Sequence, residues 1–157
     1  MLCFSMNSMR VGWERIDAAL RGLARRRAGL DAEEAVWLVA GEEAAVHREL
    51  GFGSSVEYLG VVFGYSGREA RERLLVARRL SELPHVGRAL REGELCWSAV
   101  RELCRVVTAE TEEAWLQAAR GLSVRVIEQR VSGLSPGDLP GDVKDPGAVR
   151  HVLRFEV

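Results

Sequence analysis

Arg68, Arg71, Arg78 and Arg79 lie in the single stretch from Gly67 to Leu83, and at helical periodicity they share one arc. Guanidinium groups so placed can do one kind of chemistry. They donate charge-assisted, forked hydrogen bonds to phosphate oxygens and bidentate bonds to guanine edges in a major groove. The other reading is a solvated helix face, because Glu72 and Glu82 lie among the arginines and ion pairs at i to i+4 spacing are common on exposed helices. Both readings stay open on the sequence. Ala70, Leu74, Ala77 and Leu80 recur at three- and four-residue steps on a different arc and form the side that packs. Arg73 falls near that apolar stripe, where an aliphatic residue is the rule, and is expected to bury its stem while its head stays wet.

No other chemistry is suggested. His47, His85 and His151 are far apart in sequence, and Cys3, Cys96 and Cys104 make no C-x-x-C pair. Neither a zinc site nor a disulfide framework is therefore expected. Glu43 and His47 form an i, i+4 pair with no second histidine near, and read as a solvated face rather than a metal site. With no nucleophile and base at motif spacing, no metal cluster and no phosphate loop, catalysis by this chain, a cofactor and a small-molecule substrate are not expected.

The arginines need a platform, and the sequence outlines one. Ser54 or Ser55 caps a first helix through Val56, Leu59 and Phe63, and Gly64 ends it in the left-handed conformation. Gly60 leaves room for a close crossing. Ser66 and Glu69 have the spacing of a capping box that starts the second helix, and Pro84 limits it to about Leu83. This is the outline of a helix-turn-helix.

The flanking segments also read as helices. Trp13, Ile16, Ala19, Leu20 and Leu23 have helical spacing, with Arg25, Arg26 and Arg27 suited to a helix C-terminus and Gly29 as a break. Asp31 and Glu34 are read as the capping pair of the next helix, from Asp31 to Leu50, with Trp37 at the edge of the core. A short helix from Pro84 to Glu92 stops at Gly93. Further helices run from Ser98 to Val107, from a Thr108 cap to Gly121, and from a Ser123 cap to Gly133. Ser135 to Gly147 holds three of the four prolines and reads as a linker. Val149 to Val157 alternates apolar and polar residues as a strand does.

With 157 residues, one well-buried domain is expected. The expected architecture is an all-α multi-helix bundle over residues 13–133, preceded by a disordered leader at 1–12. A Pro/Gly linker at 134–148 and a short C-terminal β-strand at 149–157 follow, the strand opening a truncated second unit. A net charge of −1 confines any nucleic-acid binding to a local patch. Arginine supplies all but one of the 22 basic residues, which carries no functional weight by itself. MLCFSM lacks the basic start of a signal peptide and no run spans a membrane, so a cytoplasmic protein without a membrane partner is expected.

Over roughly Leu30 to Ser132 the chain resembles the domain of unknown function 222. The matching residues are the G-Y-S turn at Gly64 to Ser66, ARRLSELP at Ala77 to Pro84, ALREGEL at Ala89 to Leu95, WSAVRELCRVVTAETEE at Trp97 to Glu113 and LSVRVIEQRV at Leu122 to Val131. That family is an all-helical module found in front of bacterial HNH endonuclease domains of the 13E12-repeat type. From Gly60 to Leu103 the chain is also similar to the helix-turn-helix domain of ParB partition proteins, through Gly64, Ser66, Leu83, Pro84, Arg91, Glu92, Gly93 and Leu95. The resemblances imply a DNA-binding accessory module whose partner is double-stranded DNA. The histidines and zinc knuckles of an HNH nuclease are missing, so the resemblance implies no cleavage by this chain. The rival expectation is a protein-interaction or self-association module.

Overall fold

The structure is a computed structural model that describes residues 12–144. The residues expected to form a leader, except Gly12, and those expected to form a terminal strand lie outside the described part. Among the described residues eight helices follow one another: α1 (Trp13–Glu43), α2 (Val46–Glu49), α3 (Ser55–Phe63), α4 (Gly67–Ser81), α5 (Pro84–Arg91), α6 (Trp97–Leu103), α7 (Glu112–Ala119) and α8 (Val124–Val131). The described part contains no strand and is all-α. α1 lies along α4 and α5, and α6 packs on α8.

The core follows the apolar spacing closely. Ala70, Leu74, Ala77 and Leu80 of α4 are all buried, and so are Val100, Leu103, Cys104 and Val107 around α6. α1 contributes small residues, Ala28, Ala32 and Ala35, which let its backbone run close to its neighbours. Trp115 of α7 is the largest fully buried side chain, and its Nε1–H donates to the Asp138 carbonyl at 2.9 Å. The Gly137 amide donates to the Val106 carbonyl at 2.9 Å. The Pro/Gly stretch is thus anchored on the bundle through Asp138, because a buried indole requires an acceptor that this turn supplies.

Three expectations are corrected. Gly29 does not break the chain: α1 is continuous from Trp13 to Glu43, so Arg25, Arg26 and Arg27 lie in mid-helix. A Cβ on Gly29 would sit 3.4 Å from the Arg91 carbonyl, so the glycine serves a close approach to α5 rather than a stop. Asp31 and Glu34 consequently cap nothing. The break falls later, at Ala45, a non-glycine residue at φ 50°. Second, Trp37 stands 68% exposed and is no part of the core. Third, α7 begins at Glu112 rather than after Thr108, since the Thr111 hydroxyl accepts from the Thr108 amide in a preceding turn. Glu112 is buried and serves another helix, accepting from the His85 and Val86 amides at 2.8 and 2.9 Å. Those are orphan donors at the start of α5, where Pro84 has no N–H to offer.

Gly93 joins α5 to α6 at φ 75°, and a Cβ there would lie 2.8 to 2.9 Å from the Cα, Cβ and Cγ of Arg25. Gly121, at φ 70°, has open space around it. Gly93→Ala therefore combines left-handed strain with a backbone clash and should cost about 3 kcal/mol, whereas Gly121→Ala should cost about 1. Urea unfolding of the two variants checks the ranking; equal losses would show that α1 yields freely at Arg25.

Candidate interaction surface

Local sequence sets the geometry of α3 and α4. The Ser54 hydroxyl accepts from the Glu57 amide at 3.1 Å, and Gly64 caps α3 at φ 73° with its amide donating to the Gly60 carbonyl. Ser66 accepts from the Glu69 amide at 3.1 Å and starts α4 three residues after α3 ends. What approaches Gly60 is the Tyr65 carbonyl, 3.4 Å from a notional Cβ, so its smallness serves the turn. Phe63 faces outward and stacks on the Tyr65 ring at 5.0 Å. Pro84 occupies the first turn of α5, and Gly93 follows its end.

The four candidate arginines divide into two pairs. Arg68 and Arg71 are exposed near the start of α4 and make no ion pair among the described residues. Arg78 is forked onto Glu42 of α1, its Nε donating at 2.7 Å, and this bond holds its guanidinium more firmly protonated than usual. Arg79 is half-buried; its Nη2 donates to the Val107 carbonyl at 2.7 Å and its Nη1 to Glu82 at 2.6 Å. Arg79 thus satisfies a carbonyl just beyond the end of α6, as cations near helix C-termini do. Between the pairs stands an exposed apolar residue, Leu75.

A groove of about 580 Å³ runs beside them between α4, α6 and α8, lined in part by Arg68, Arg79, Arg101 and Arg105. Acids are interleaved throughout. Arg101 donates to Glu72 at 3.1 Å and pairs with Glu102 at 3.3 Å, and Arg105 pairs with Glu102 at 2.9 Å. Glu128 adds another carboxylate to the lining. The surface is locally neutralised rather than continuously positive. Cys104, in the same wall, has its thiol pushed up to about 12 by burial and is held unreactive as a nucleophile.

Arg73 lies beside the buried stripe of α4 as its spacing implies, but its head is not in water as expected. Its side chain is only 14% exposed, and its Nη1 donates to Asp31 at 2.7 Å and to Glu34 at 3.5 Å, both on α1. Its guanidinium lies 4.2 Å over the Trp97 ring of α6 and 5.2 Å from the Tyr65 centroid. Cation–π contact of this kind is strongest where water is excluded. Nε alone lacks an acceptor among the described residues. Burial works against the charge, but Asp31 and Glu34 more than offset it and keep the group firmly protonated. Nothing in a single sequence marks two acids on one helix as partners of an arginine forty residues on.

The second surface is apolar. The end of α1, α2 and α3 enclose a groove of about 780 Å³ whose wall includes Leu30, Trp37, Ala44, Val46, Val62 and Phe63. Large apolar side chains rarely gather in the open on an isolated soluble domain. Glu43 and His47 do not share a helix, since Ala45 separates α1 from α2, and His47 Nδ1 is bonded to the Ser55 hydroxyl at 3.1 Å. Among the described residues no three metal-ligating side chains converge, and no helix is long and apolar enough to cross a membrane.

The model of one protein family, described as Domain of unknown function (DUF222), matches residues 13–144. No curated protein and no solved structure matches the chain.

The Arg73 cluster yields a titration. Burial first, then the bond its hydroxyl donates to Glu34 at 2.9 and 3.0 Å, push Tyr65 up to about 12. Its protonated form is favoured by the fold. The stability it contributes is therefore complete below the ordinary tyrosine value of about 10 and is lost as pH rises through about 12. Absorbance titration of Tyr65 in a Tyr58→Phe background should show the raised midpoint, moving back toward 10 in Glu34→Gln. A Tyr65 midpoint at 10 in the folded protein would contradict the packing described.

Proposed function

The chain belongs to the family of the domain of unknown function 222, and from that premise we propose that it is a helical protein-interaction module. The apolar groove of α1, α2 and α3 is the observation that carries this reading. An amphipathic helix laid into such a groove would bury Leu30, Trp37, Val62 and Phe63 through apolar residues at i, i+3 or i+4, and i+7. Burial of this kind is favourable by roughly 25 cal/mol per Å² of apolar surface. The interleaved acids support the same reading, because Glu42, Glu72, Glu82 and Glu102 occupy the arginines that a phosphate would need.

A second reading, DNA binding, is favoured by one observation: Arg68 and Arg71 stand unpaired among the described residues on an exposed face near the start of α4. It takes α3 and α4 as the helix-turn-helix pair that the resemblance to ParB domains implies. Under this reading the module serves a downstream HNH domain, with at most two of the four arginines at work on phosphate.

Selection of random peptides on the folded protein separates the two. The interaction reading expects enrichment of amphipathic sequences whose binding is lost in Trp37→Glu/Phe63→Glu, with the helical circular dichroism retained because neither side chain is in the core. Titration of a labelled duplex at several salt concentrations should show no specific uptake. A log K against log salt slope that flattens by about two units in Arg68→Ala/Arg71→Ala, at about 0.9 per contact, would instead establish DNA binding and displace the interaction reading.

A further inference from the structure

The groove of α1, α2 and α3 carries charge of one sign in its wall. Its charged side chains are Glu33 and Glu34, and among the described residues no arginine or lysine lines it. Arg26 and Arg27, one turn before Leu30, stay outside the wall. The charge is also confined to one end, because the opposite end, at Ala44 and Val46, contributes no charged side chain. From Leu30 to Ala44 the α1 wall runs roughly 21 Å at about 1.5 Å per residue, so it holds an apolar i to i+7 repeat with a further turn to spare.

The acids at the Leu30 end are short of counter-charge. Four carboxyl groups gather there, those of Asp31, Glu33, Glu34 and Glu69; two of them bond a guanidinium, and it is the same one, Arg73. Asp31 takes its shorter bond, at 2.7 Å, and Glu34 the longer, at 3.5 Å. Burial, helped by the charges of Asp31 and Glu69, holds the Glu34 carboxyl above the usual carboxylate range against the opposing effects of Tyr65 and Arg73. Glu33 is exposed and makes no ion pair among the described residues. A cation seated beside Leu30 therefore meets a free carboxylate, whereas a carboxylate or phosphate there is repelled.

We infer that the helix docking in this groove is basic at one end: its apolar repeat is flanked within one turn, on a single side, by an arginine or lysine that pairs with Glu33. The same polarity fixes which way the partner lies. This partner class rests on the groove being a docking site, and the two are separable by experiment.

A displayed random-peptide library is panned on the folded full chain, and one recovered sequence is synthesised and titrated. Arginine or lysine should be enriched at one end of the apolar repeat. Affinity for the synthetic peptide should fall about two- to fivefold in Glu33→Gln and more than about tenfold in Glu33→Lys, where attraction becomes repulsion. The peptide with its base changed to glutamate should prefer Glu33→Lys to the wild type. Glu94→Lys, at an exposed acid outside the groove, should leave binding unchanged. Amphipathic peptides without a basic end, or an equal loss in Glu94→Lys, overturn the basic partner and leave the groove as a docking site. Recovery of no peptide that depends on Trp37 and Phe63 overturns both. Self-association of the wild type through Trp37 and Phe63 puts a second copy of the chain in the groove and overturns the basic partner as well.

Discussion

One buried guanidinium ties three layers of this fold together. Arg73 on α4 is held by Asp31 and Glu34 on α1, lies over Trp97 at the start of α6, and shares Glu34 with Tyr65 from the turn before α4. Moving a charge this far from water is costly, and a pair at such depth adds little net stability against an apolar replacement. Its effect is positional. α1 faces α4 largely through alanines, which would tolerate sliding, and a donor fixed between two acids at i, i+3 spacing removes that freedom. Removing one partner leaves the others charged and unpaired, the expensive half of the asymmetry.

The same economy runs across the rest of the charged surface. Arg78 secures the other end of α4 to Glu42 on α1, Arg79 ties α4 to the carbonyl of Val107, and Glu112 closes the start of α5. Polar groups are spent on holding helices in place, while large apolar groups are left outside along α1 and α3. That inversion is what supports the proposal that a partner docks on the apolar groove of α1, α2 and α3.

Much of the architecture was legible in the sequence, because helix period, capping serines and stop glycines are local signals. Ser54, Ser66 and Ser123 all accept from the amide three residues on, and the buried faces of α4 and α6 match their apolar spacing. The errors came where one local pattern has two uses. Gly29 reads as a break but admits the Arg91 carbonyl beside an unbroken helix. Asp31 and Glu34 read as a cap but are counter-charges for Arg73, which is why the Arg73 head stays buried rather than reaching water as expected. Arg78 and Arg79 shared an arc with Arg68 and Arg71, yet their ends reach opposite neighbours. Each of these depends on contacts between segments distant in the chain, which periodicity does not encode.

The coupling between Arg73 and α1 is the contact on which the placement of α4 most directly depends. A double-mutant cycle of Arg73→Met and Asp31→Leu, read by urea unfolding, measures it without assigning the whole loss to either residue. The structure predicts a favourable coupling of about 1–3 kcal/mol, with the double variant recovering much of what each single variant loses. Additive losses, with a coupling near zero, would mean that Arg73 does not fix α4 against α1 and would contradict the central claim.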